Sequence, residues 1–435
     1  MKKPELLLPA GSLTALKTAF LYGADAVYVG MPKMNLRAKS SFPLEEIKQG
    51  VNFAHSQNKK VYIALNLFSK NADIDKLGQA AIDIKEIAPD GAIVSDPGVF
   101  MFLREHLPTL PLRISTQANI CSWLTAEFWQ KMGADLIVLA REVSFAEGCF
   151  IKHKLPDMKI EIFVHGAMCI SYSGRCLLSA FLAGRSANLG ECAYSCRWKF
   201  KSKLLMEEEL RQGEFLEMFE DDRGSYILNS KDLCLMTKLD KILSAGFDSL
   251  KIEGRNKSPY YIAQTARAYR KAIDDYFKNP AQWQPDIYMA ELYSLQNRGY
   301  TTGFFDGTPT DEAQDYFDTS SKSDWRNIGT VINQNQEHLE IWLYNQINVG
   351  DEIEILLPDV FLPLKIKINE IFDPLTQTKV RTLSPGRPNQ AAIIYTALPA
   401  TFGDKKIPPL SIIRREQKGT KGKERERKGT ATTIG

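Results

Sequence analysis

The chain has 435 residues, of which 44% are hydrophobic and 25% charged, a composition typical of a globular protein with two or three domains. It contains no run of about 18 apolar residues, and Met1–Pro9 is too short for a signal-peptide core. We therefore expect a cytoplasmic protein with no membrane contact. The net charge is +3 and lies entirely in residues 416–435, for which we predict a disordered basic tail.

A short unit recurs, in which a helical pattern ends in Gly, followed by one residue, an Asp and an apolar run. It occupies Gly23–Gly30, Gly133–Leu139 and Gly246–Ile252. The Gly suits a helix C-cap, and the run after it suits a strand buried on both faces. Helix, cap and buried strand in repetition indicate parallel β/α architecture.

Eight such strands are predicted, at Leu6–Leu8, Val27–Val29, Val61–Leu65, Ala92–Val94, Leu112–Ile114, Leu136–Leu139, Ile160–Val164 and Ser249–Ile252. Eight strands favour an α/β fold of the closed (β/α)₈ TIM-barrel type over residues 1–280. A doubly wound sheet is the alternative, but no G-x-G-x-x-G follows the first strand. A long Cys-rich insertion, residues 165–235, separates strands seven and eight at the barrel face where active sites form.

The insertion is predicted to hold a helix-like stretch at Met206–Leu210 and a hairpin around Asp221–Gly224. After the eighth predicted strand, the pattern of Pro259–Phe277 indicates an amphipathic helix, and residues 281–325 are predicted to be a linker with helical character. Residues 326–415 have the short alternating strands of a small β-barrel domain. Its predicted strands are Gly329–Ile332, Leu339–Leu343, Asp351–Leu357, Leu364–Ile371 and Ala391–Thr396.

Five of the seven cysteines lie in the insertion, and four of them have the spacing C-x₆-C-x₁₅-C-x₃-C, namely Cys169, Cys176, Cys192 and Cys196. Four thiolates from one short segment can hold a single metal centre. We favour iron–sulfur over zinc, since structural zinc usually takes a C-x₂-C knuckle or paired histidines. Buried free thiols are the alternative, and Cys234 is a fifth candidate ligand.

The segment Glu161–Cys176, with its His165-Gly-Ala-Met-Cys169 core, resembles the signature of the collagenase-like peptidase family U32. Further matching motifs are Pro9–Gly11, Gly23–Tyr28, Ser95–Gly98, Gln117–Asn119, Asn229–Asp232, Lys251–Arg255 and Arg298–Gly303. Within the family, Cys192-x₃-Cys196-Arg-Trp198 and the short β domain look like the branch that hydroxylates RNA.

This resemblance implies 5-hydroxylation of the wobble uridine of tRNA, with prephenate as co-substrate and tRNA as partner. It also implies a [4Fe–4S] cluster on Cys169, Cys176, Cys192 and Cys196. The alternative is the proteolysis in the family's name. The chain has neither H-E-x-x-H nor G-x-S-x-G, the patterns of common metalloprotease and serine hydrolase sites.

Polar residues that follow the predicted strands should face the barrel mouth. We take as substrate-binding candidates Asn35, Arg37, Asn66, Asp96, Gln117 and Asn119, and as catalytic candidates Arg141, Glu142, His165, Glu253 and Arg255. Prephenate has two carboxylates, which arginine forks bind well, and Glu142, Glu253 or His165 would serve as acid or base. Structural ion pairs at the rim and a purely structural His165 are the alternatives. The oligomeric state stays open.

Overall fold

A computed structural model describes residues 2–32, 34, 43–67, 69–168, 231–307, 323–335, 338–386, 390–396 and 406–417, with isolated residues between 179 and 225. It divides into two compact units. One comprises Met1–Lys322 with Pro358–Phe361, and the other Ser323–Leu357 with Leu362–Gly435.

The first unit is built on a closed parallel barrel. Its strands are β1 (Glu5–Pro9), β2 (Ala26–Gly30), β3 (Lys60–Leu65), β4 (Gly91–Val94), β5 (Leu112–Ile114), β6 (Leu136–Val138) and β7 (Ile160–Ala167), followed after β8 (Asp232–Cys234) by β9 (Ser249–Ile252). Strands β1 to β7 pair in chain order, and β9 pairs with both β7 and β1, which closes the ring. The predicted TIM-type barrel is confirmed, and each of its eight strands overlaps a predicted one.

Helices of the first unit follow the strands. They are α1 (Leu13–Leu21), α2 (Leu44–His55), α3 (Asn71–Ile74), α4 (Leu77–Ile87), α5 (Pro97–His106), α6 (Trp123–Lys131), α7 (Phe145–Lys154), α8 (Leu239–Ala245), α9 (Pro259–Lys278) and α10 (Asp286–Tyr293). Several begin at a serine whose Oγ accepts the backbone N–H three residues on, as at Ser12, Ser122, Ser144 and Ser258. These caps satisfy N–H groups that a helix start otherwise leaves unpaired.

The recurring Gly-x-Asp unit has two separate physical roles. Gly23, Gly133 and Gly246 end helices with φ of 102°, 87° and 76°, which side-chain-bearing residues rarely adopt. The aspartate then accepts the backbone N–H of the preceding strand, at 3.0 Å from Asp25 to Leu6 and 2.8 Å from Asp135 to Leu112. Each unit therefore stops a helix and fastens two neighbouring strands at their amino ends.

The barrel interior holds a charged network in which Glu5, Tyr62, Arg113 and Glu161 come from alternate strands, the layering typical of this fold, and Lys251 comes from β9 between β7 and β1. Arg113 of β5 contacts Glu5 of β1 at 2.7 Å and Glu161 of β7 at 3.6 Å. Tyr62 of β3 donates its hydroxyl to Glu5 at 2.8 Å. Lys251 of β9 contacts the second oxygen of Glu161 at 2.9 Å. Two carboxylates thus balance two cations inside the barrel.

Glu161 lies at the centre of this network and has no solvent exposure. Burial acts to raise the pKa of its carboxyl, but Lys251, Arg113 and the Ser249 hydroxyl outweigh burial and hold that pKa below its ordinary value. A carboxyl with a depressed pKa stabilises the fold above its unfolded-state pKa, and this contribution is lost as the pH falls through the folded-state pKa.

Short strands extend the barrel sheet beyond β7. Strand β8 runs antiparallel to the end of β7, with Cys234 opposite His165 and Asp232 opposite Ala167. Strand β10 (Tyr300–Thr301) pairs parallel with β8. The segment 169–230 therefore leaves and re-enters the described fold at the carboxyl end of β7.

Two predictions for residues 169–230 can be compared with the structure. The hairpin around Asp221–Gly224 is confirmed, since Glu220–Asp221 pairs antiparallel with Gly224–Ser225. The helix-like prediction for Met206–Leu210 is wrong at Met206–Glu207, which pairs as a strand with Phe215–Leu216, and residues 208–210 lie outside the described residues. Helix propensity is a weak signal in so short a segment, and at Met206–Glu207 strand pairing prevails.

The second unit is all-β. Its strands are β11 (Trp325–Gln334), β12 (His338–Leu343), β13 (Ile347–Asn348), β14 (Glu352–Leu356), β15 (Leu364–Lys367), β16 (Glu370–Asp373), β17 (Thr378–Val380), β18 (Thr382–Leu383), β19 (Ala391–Tyr395) and β20 (Ile412–Glu416). Eight form one antiparallel half-barrel sheet in the order β15-β14-β20-β11-β12-β19-β16-β17. Its inner face buries an isoleucine-rich core that includes Ile341, Ile355, Ile394 and Ile413.

Two details of this unit differ from the expectation. The single strand predicted at Leu364–Ile371 is two strands, and β20 extends to Glu416, where the basic tail was predicted to begin. Residues 418–435, most of that tail, lie outside the described residues. Among the described helices, none is both long and apolar enough to cross a membrane.

The interior charge network makes a stability prediction. Glu161→Gln keeps the side-chain shape but removes the charge that faces Lys251 and Arg113. We expect the free energy of unfolding to fall by about 3–5 kcal/mol at neutral pH, because a buried cation is left without its partner. Chemical unfolding followed by circular dichroism measures the change.

The control is Glu86→Gln, which removes an exposed ion pair with Lys48 on the barrel exterior. This variant should unfold at the wild-type midpoint, since exposed pairs contribute little. A Glu161→Gln protein as stable as the control would contradict the interpretation of the interior network.

Candidate active site at the barrel mouth

The carboxyl ends of the barrel strands carry a layer of cations and rings above the interior network. Phe163 and Lys251 lie two residues beyond Glu161 and Ser249 on their strands, so they face the same interior. The Lys251 ammonium lies 4.6 Å from the centre of the Tyr28 ring and 5.5 Å from that of Phe163. Tyr28 itself is fixed by donating its hydroxyl to the Ile252 carbonyl at 3.2 Å.

Two of the predicted arginines join this layer. The guanidinium carbon of Arg141, after β6, lies 3.9 Å from the centre of the Phe163 ring. That of Arg255, after β9, lies 5.7 Å from the centre of the Tyr28 ring. Arg141 is half-buried and Arg255 is buried. Lys251 lies between the two rings, so three cations form one layer, hereafter the cation layer (Arg141, Lys251 and Arg255 on Tyr28 and Phe163).

Sequence reasoning did not single out Lys251. Its signal was present, because a lysine inside the apolar run Ser249–Ile252 points with Ser249 toward one face of the strand. A charged residue in a strand buried on both faces needs a partner, and Glu161 is the corresponding exception in β7. The same argument applies to Glu5 and Arg113.

His165 has surroundings different from those of the cation layer. The register of β7 and β9 shifts between Lys251 and Ile252, so His165 pairs with Ile252, whose side chain points away from the interior. A bulge of this kind redirects a side chain. The His165 ring contacts Tyr261 and Tyr269 of α9 and Tyr300, with ring centres 5.9, 5.6 and 5.5 Å away.

Burial in this tyrosine cage lowers the pKa of His165 to about 4, with Lys257 adding to the effect and Asp232 opposing it. The imidazole is therefore neutral at physiological pH. Its Nδ1 lies 3.5 Å from the Tyr269 hydroxyl, which donates to the Val164 carbonyl at 2.8 Å.

Gly166 allows the chain to pass close to β9 directly after His165. Its φ is 122°, and a Cβ there would lie 2.6 Å from the Glu253 carbonyl oxygen. The Glu253 backbone N–H donates to the His165 carbonyl at 2.9 Å, and its carbonyl accepts the Tyr261 hydroxyl at 2.8 Å. Backbone geometry therefore explains why a glycine follows His165 in the His165-Gly-Ala-Met-Cys169 motif.

Cys234 faces helix α9. Its thiol lies 3.8 Å from the Tyr269 hydroxyl and 3.7 Å from the Met289 sulfur, and burial raises its pKa to about 11. A metal ligand is a thiolate, so these surroundings favour a packing role over that of a substitute ligand. Next to it, Asp232 is buried and pairs with Arg298.

The other predicted site residues that the structure describes also follow the barrel strands, and their contacts differ. Asp96 caps α5, since its Oδ1 accepts the N–H groups of Gly98 and Val99 at 2.8 and 3.1 Å. Gln117 is buried in a 3₁₀ turn that ends at Asn119, whose φ is 53°. Asn66 and Glu142 are half-buried directly after β3 and near the end of β6.

Six predicted residues lie outside the described residues. They are Asn35, Arg37 and the four proposed ligands Cys169, Cys176, Cys192 and Cys196. The described fold fixes where the ligand segment starts, since Met168 is buried directly after β7. Among the described residues no group of three or more His, Cys, Asp or Glu side chains is arranged to hold a metal ion.

Comparison with known proteins agrees with the motifs. Residues 11–315 match the model of peptidase family U32. The chain is 39% identical to tRNA hydroxylation protein P of Escherichia coli over 398 residues, 82% of this chain and 87% of that protein. It is 37% identical to tRNA hydroxylation protein P1 of Bacillus subtilis over 366 residues, 82% of this chain and 85% of that protein.

A third relative is named as an uncharacterized protease, from Methanocaldococcus jannaschii. It is 37% identical over 365 residues, 81% of this chain and 86% of that protein. The family model and the relatives together confirm the resemblance carried by Glu161–Cys176 and its companion motifs. The chain belongs to peptidase family U32.

Proposed function

We propose that this chain is a tRNA-modifying enzyme that 5-hydroxylates the wobble uridine, with prephenate as co-substrate. Hydroxylation of tRNA is supported by relatives named tRNA hydroxylation proteins that align with most of this chain. A wobble base lies in a single-stranded loop, so it can enter an open barrel mouth without breaking a duplex.

The cation layer is the observation that carries the proposal for an anionic co-substrate. Three cations gather where barrel enzymes bind substrates. Glu161 offsets Lys251 from below, and the Arg141 and Arg255 guanidinium groups lie beside aromatic rings at the carboxyl ends of the strands. Planar guanidinium groups bind carboxylates through paired hydrogen bonds. A small dicarboxylate such as prephenate matches two arginines on one rim.

The proposal includes a [4Fe–4S] cluster on Cys169, Cys176, Cys192 and Cys196. The donor set fits such a group, because four thiolates are its usual ligands. The segment that carries them follows β7, the strand that supplies Phe163, and precedes β8. A cluster bound there would supply one-electron transfer at the barrel mouth.

We assign His165 a positioning role at the end of β7. The tyrosine cage holds its ring against α9, and its backbone joins β7 to both β8 and β9. A pKa near 4 keeps it uncharged at neutral pH, which is far from the pKa that best serves general acid–base work. It therefore fixes the point from which the cysteine segment departs.

Proteolysis receives little support from the described residues. The His165 ring contacts the hydroxyl of a tyrosine, Tyr269, and the buried Cys234 thiol has a raised pKa, so neither contact supplies an activated nucleophile. The described residues also lack a His and carboxylate group for a catalytic metal ion. The cation layer suits an anion better than a peptide bond.

The first test of the function is complementation. Expression of the chain in a bacterium that lacks its own tRNA hydroxylation proteins should restore 5-hydroxyuridine-derived nucleosides, measured by mass spectrometry of digested tRNA. A strain that also lacks prephenate synthesis should show no restoration. Full restoration without prephenate, or none with it, would contradict the proposal.

The second test addresses the cation layer. Arg141→Ala should weaken prephenate binding about 100-fold, because a charge-assisted contact to a carboxylate is lost. The affinity of Arg141→Lys for prephenate should lie between those of the wild type and Arg141→Ala, since lysine keeps the charge but not the planar guanidinium group. Isothermal titration of the purified protein measures both.

The matched control is Lys85→Ala, which removes an exposed cation from α4. It lowers the net charge as much as Arg141→Ala does, but Lys85 is not part of the cation layer, so we expect this variant to bind prephenate with wild-type affinity. Equal weakening in the two variants would mean that prephenate responds to overall charge and not to the cation layer.

The third test addresses His165. Because its folded-state pKa is about 4 and its unfolded value near 6.5, the unfolded state takes up the proton first as the pH falls. Wild-type stability should therefore drop by about 2 kcal/mol between pH 7 and pH 5 from this group alone. His165→Phe should lose that part of the pH dependence in chemical unfolding experiments, and an unchanged dependence would contradict the neutral, caged imidazole.

A further inference from the structure

Helices α6 and α7 leave large apolar side chains in solvent on the outside of the barrel. Leu124 and Phe128 of α6 are 58% and 50% exposed, and Phe150 of α7 is 46% exposed. The Lys154 ammonium lies 5.9 Å from the centre of the Trp123 ring and 5.6 Å from that of Phe150, so one cation is near a ring from each helix. Trp123, Leu124 and Phe128 of α6 and Phe150 of α7 are hereafter called the α6–α7 face.

Large contiguous apolar patches on a soluble protein mark contact surfaces. Apolar side chains that point to solvent from two neighbouring helices contribute nothing to the barrel core. The residues that do serve the core on these helices are Ala126 and Trp129 of α6 and Gly148 and Ile151 of α7. The α6–α7 face therefore has the character of a surface that contacts a partner.

The charges on α7 identify that partner. Glu147 lies three residues before Phe150 and Lys154 four after it, so all three share one exposed stripe of the helix. Among the described residues, neither Glu147 nor Lys154 forms an ion pair within the chain. The stripe thus carries an acid, a ring and a base at nearly equal intervals.

We propose that the α6–α7 face binds a second copy of this chain in a two-fold symmetric dimer, with α7 antiparallel to α7. A helix rises about 1.5 Å per residue, so Glu147 and Lys154 lie equally far from an axis between Phe150 and Ile151. Antiparallel pairing places Glu147 of each copy level with Lys154 of the other. The two Phe150 rings then meet beside the axis.

Self-complementarity of this kind is what a two-fold interface requires, because the same patch must serve both partners. A nucleic acid would instead need a basic surface for its phosphates, whereas the α7 stripe balances one acid with one base around an aromatic ring. The proposed dimer uses the outside of the barrel and leaves the cation layer at the mouth open.

Sedimentation velocity of the full chain over a range of concentrations tests the proposal. The wild type should sediment as two chains. Glu147→Lys or Lys154→Glu alone should raise the dimer dissociation constant about tenfold or more, since each change turns two attractive contacts into two repulsive ones. The double variant Glu147→Lys with Lys154→Glu should restore the dimer, because the exchange reverses both charges at each contact.

Two further variants separate the interface from folding. Phe150→Asp should give a monomer whose circular dichroism matches that of the wild type. Ile82→Glu places a charge on a comparably exposed apolar residue of α4 and should leave the dimer intact. A wild type that stays monomeric, a Phe150→Asp protein that stays dimeric, or a double charge reversal without recovery would each overturn the proposal.

Discussion

The charge on Glu161 is the constraint on which the barrel mouth depends. Without exposure to water, that carboxylate is tolerable only because Lys251, Arg113 and Ser249 surround it. The reverse also holds, since Lys251 can stand between Tyr28 and Phe163 at the rim only because Glu161 lies below it. Aliphatic residues in place of Glu161 and Lys251 would fill the barrel equally well, but they would leave the mouth with fewer cations.

Strand β7 joins the parts of the candidate site. Glu161 contributes the buried charge, and the Phe163 ring contacts Arg141. His165 would be the third residue of β7 to face the interior, but the bulge turns it toward α9. Four residues later comes Cys169, the first proposed cluster ligand. One strand therefore determines the geometry of the cation layer and the point from which the cysteine segment leaves the barrel.

Periodicity was enough to predict the barrel strands, because parallel strands buried on both faces give apolar runs and Gly-x-Asp units stop the helices between them. The interior charges could not be predicted in the same way. Glu5, Arg113, Glu161 and Lys251 are far apart in sequence, and only the strand register brings them together. Their one local signal is a charged residue inside an apolar run.

For the site, the position of residues after strands placed Arg141 and Arg255 correctly near the mouth, as barrel geometry requires. The same reasoning could not foresee that a register shift redirects His165 or that Asp96 is occupied in capping α5. Both depend on backbone hydrogen bonds that leave no mark on side-chain periodicity. The four cysteines, Asn35 and Arg37 stay predictions, since they lie outside the described residues.

The most direct test of the cation layer as the prephenate site is an experimental structure of the chain with prephenate bound. We predict that its carboxylates lie within hydrogen-bond distance of the Arg141 and Arg255 guanidinium groups, above the Phe163 and Tyr28 rings. Prephenate bound elsewhere, with those arginines turned away from it, would contradict the assignment of the cation layer as the co-substrate site.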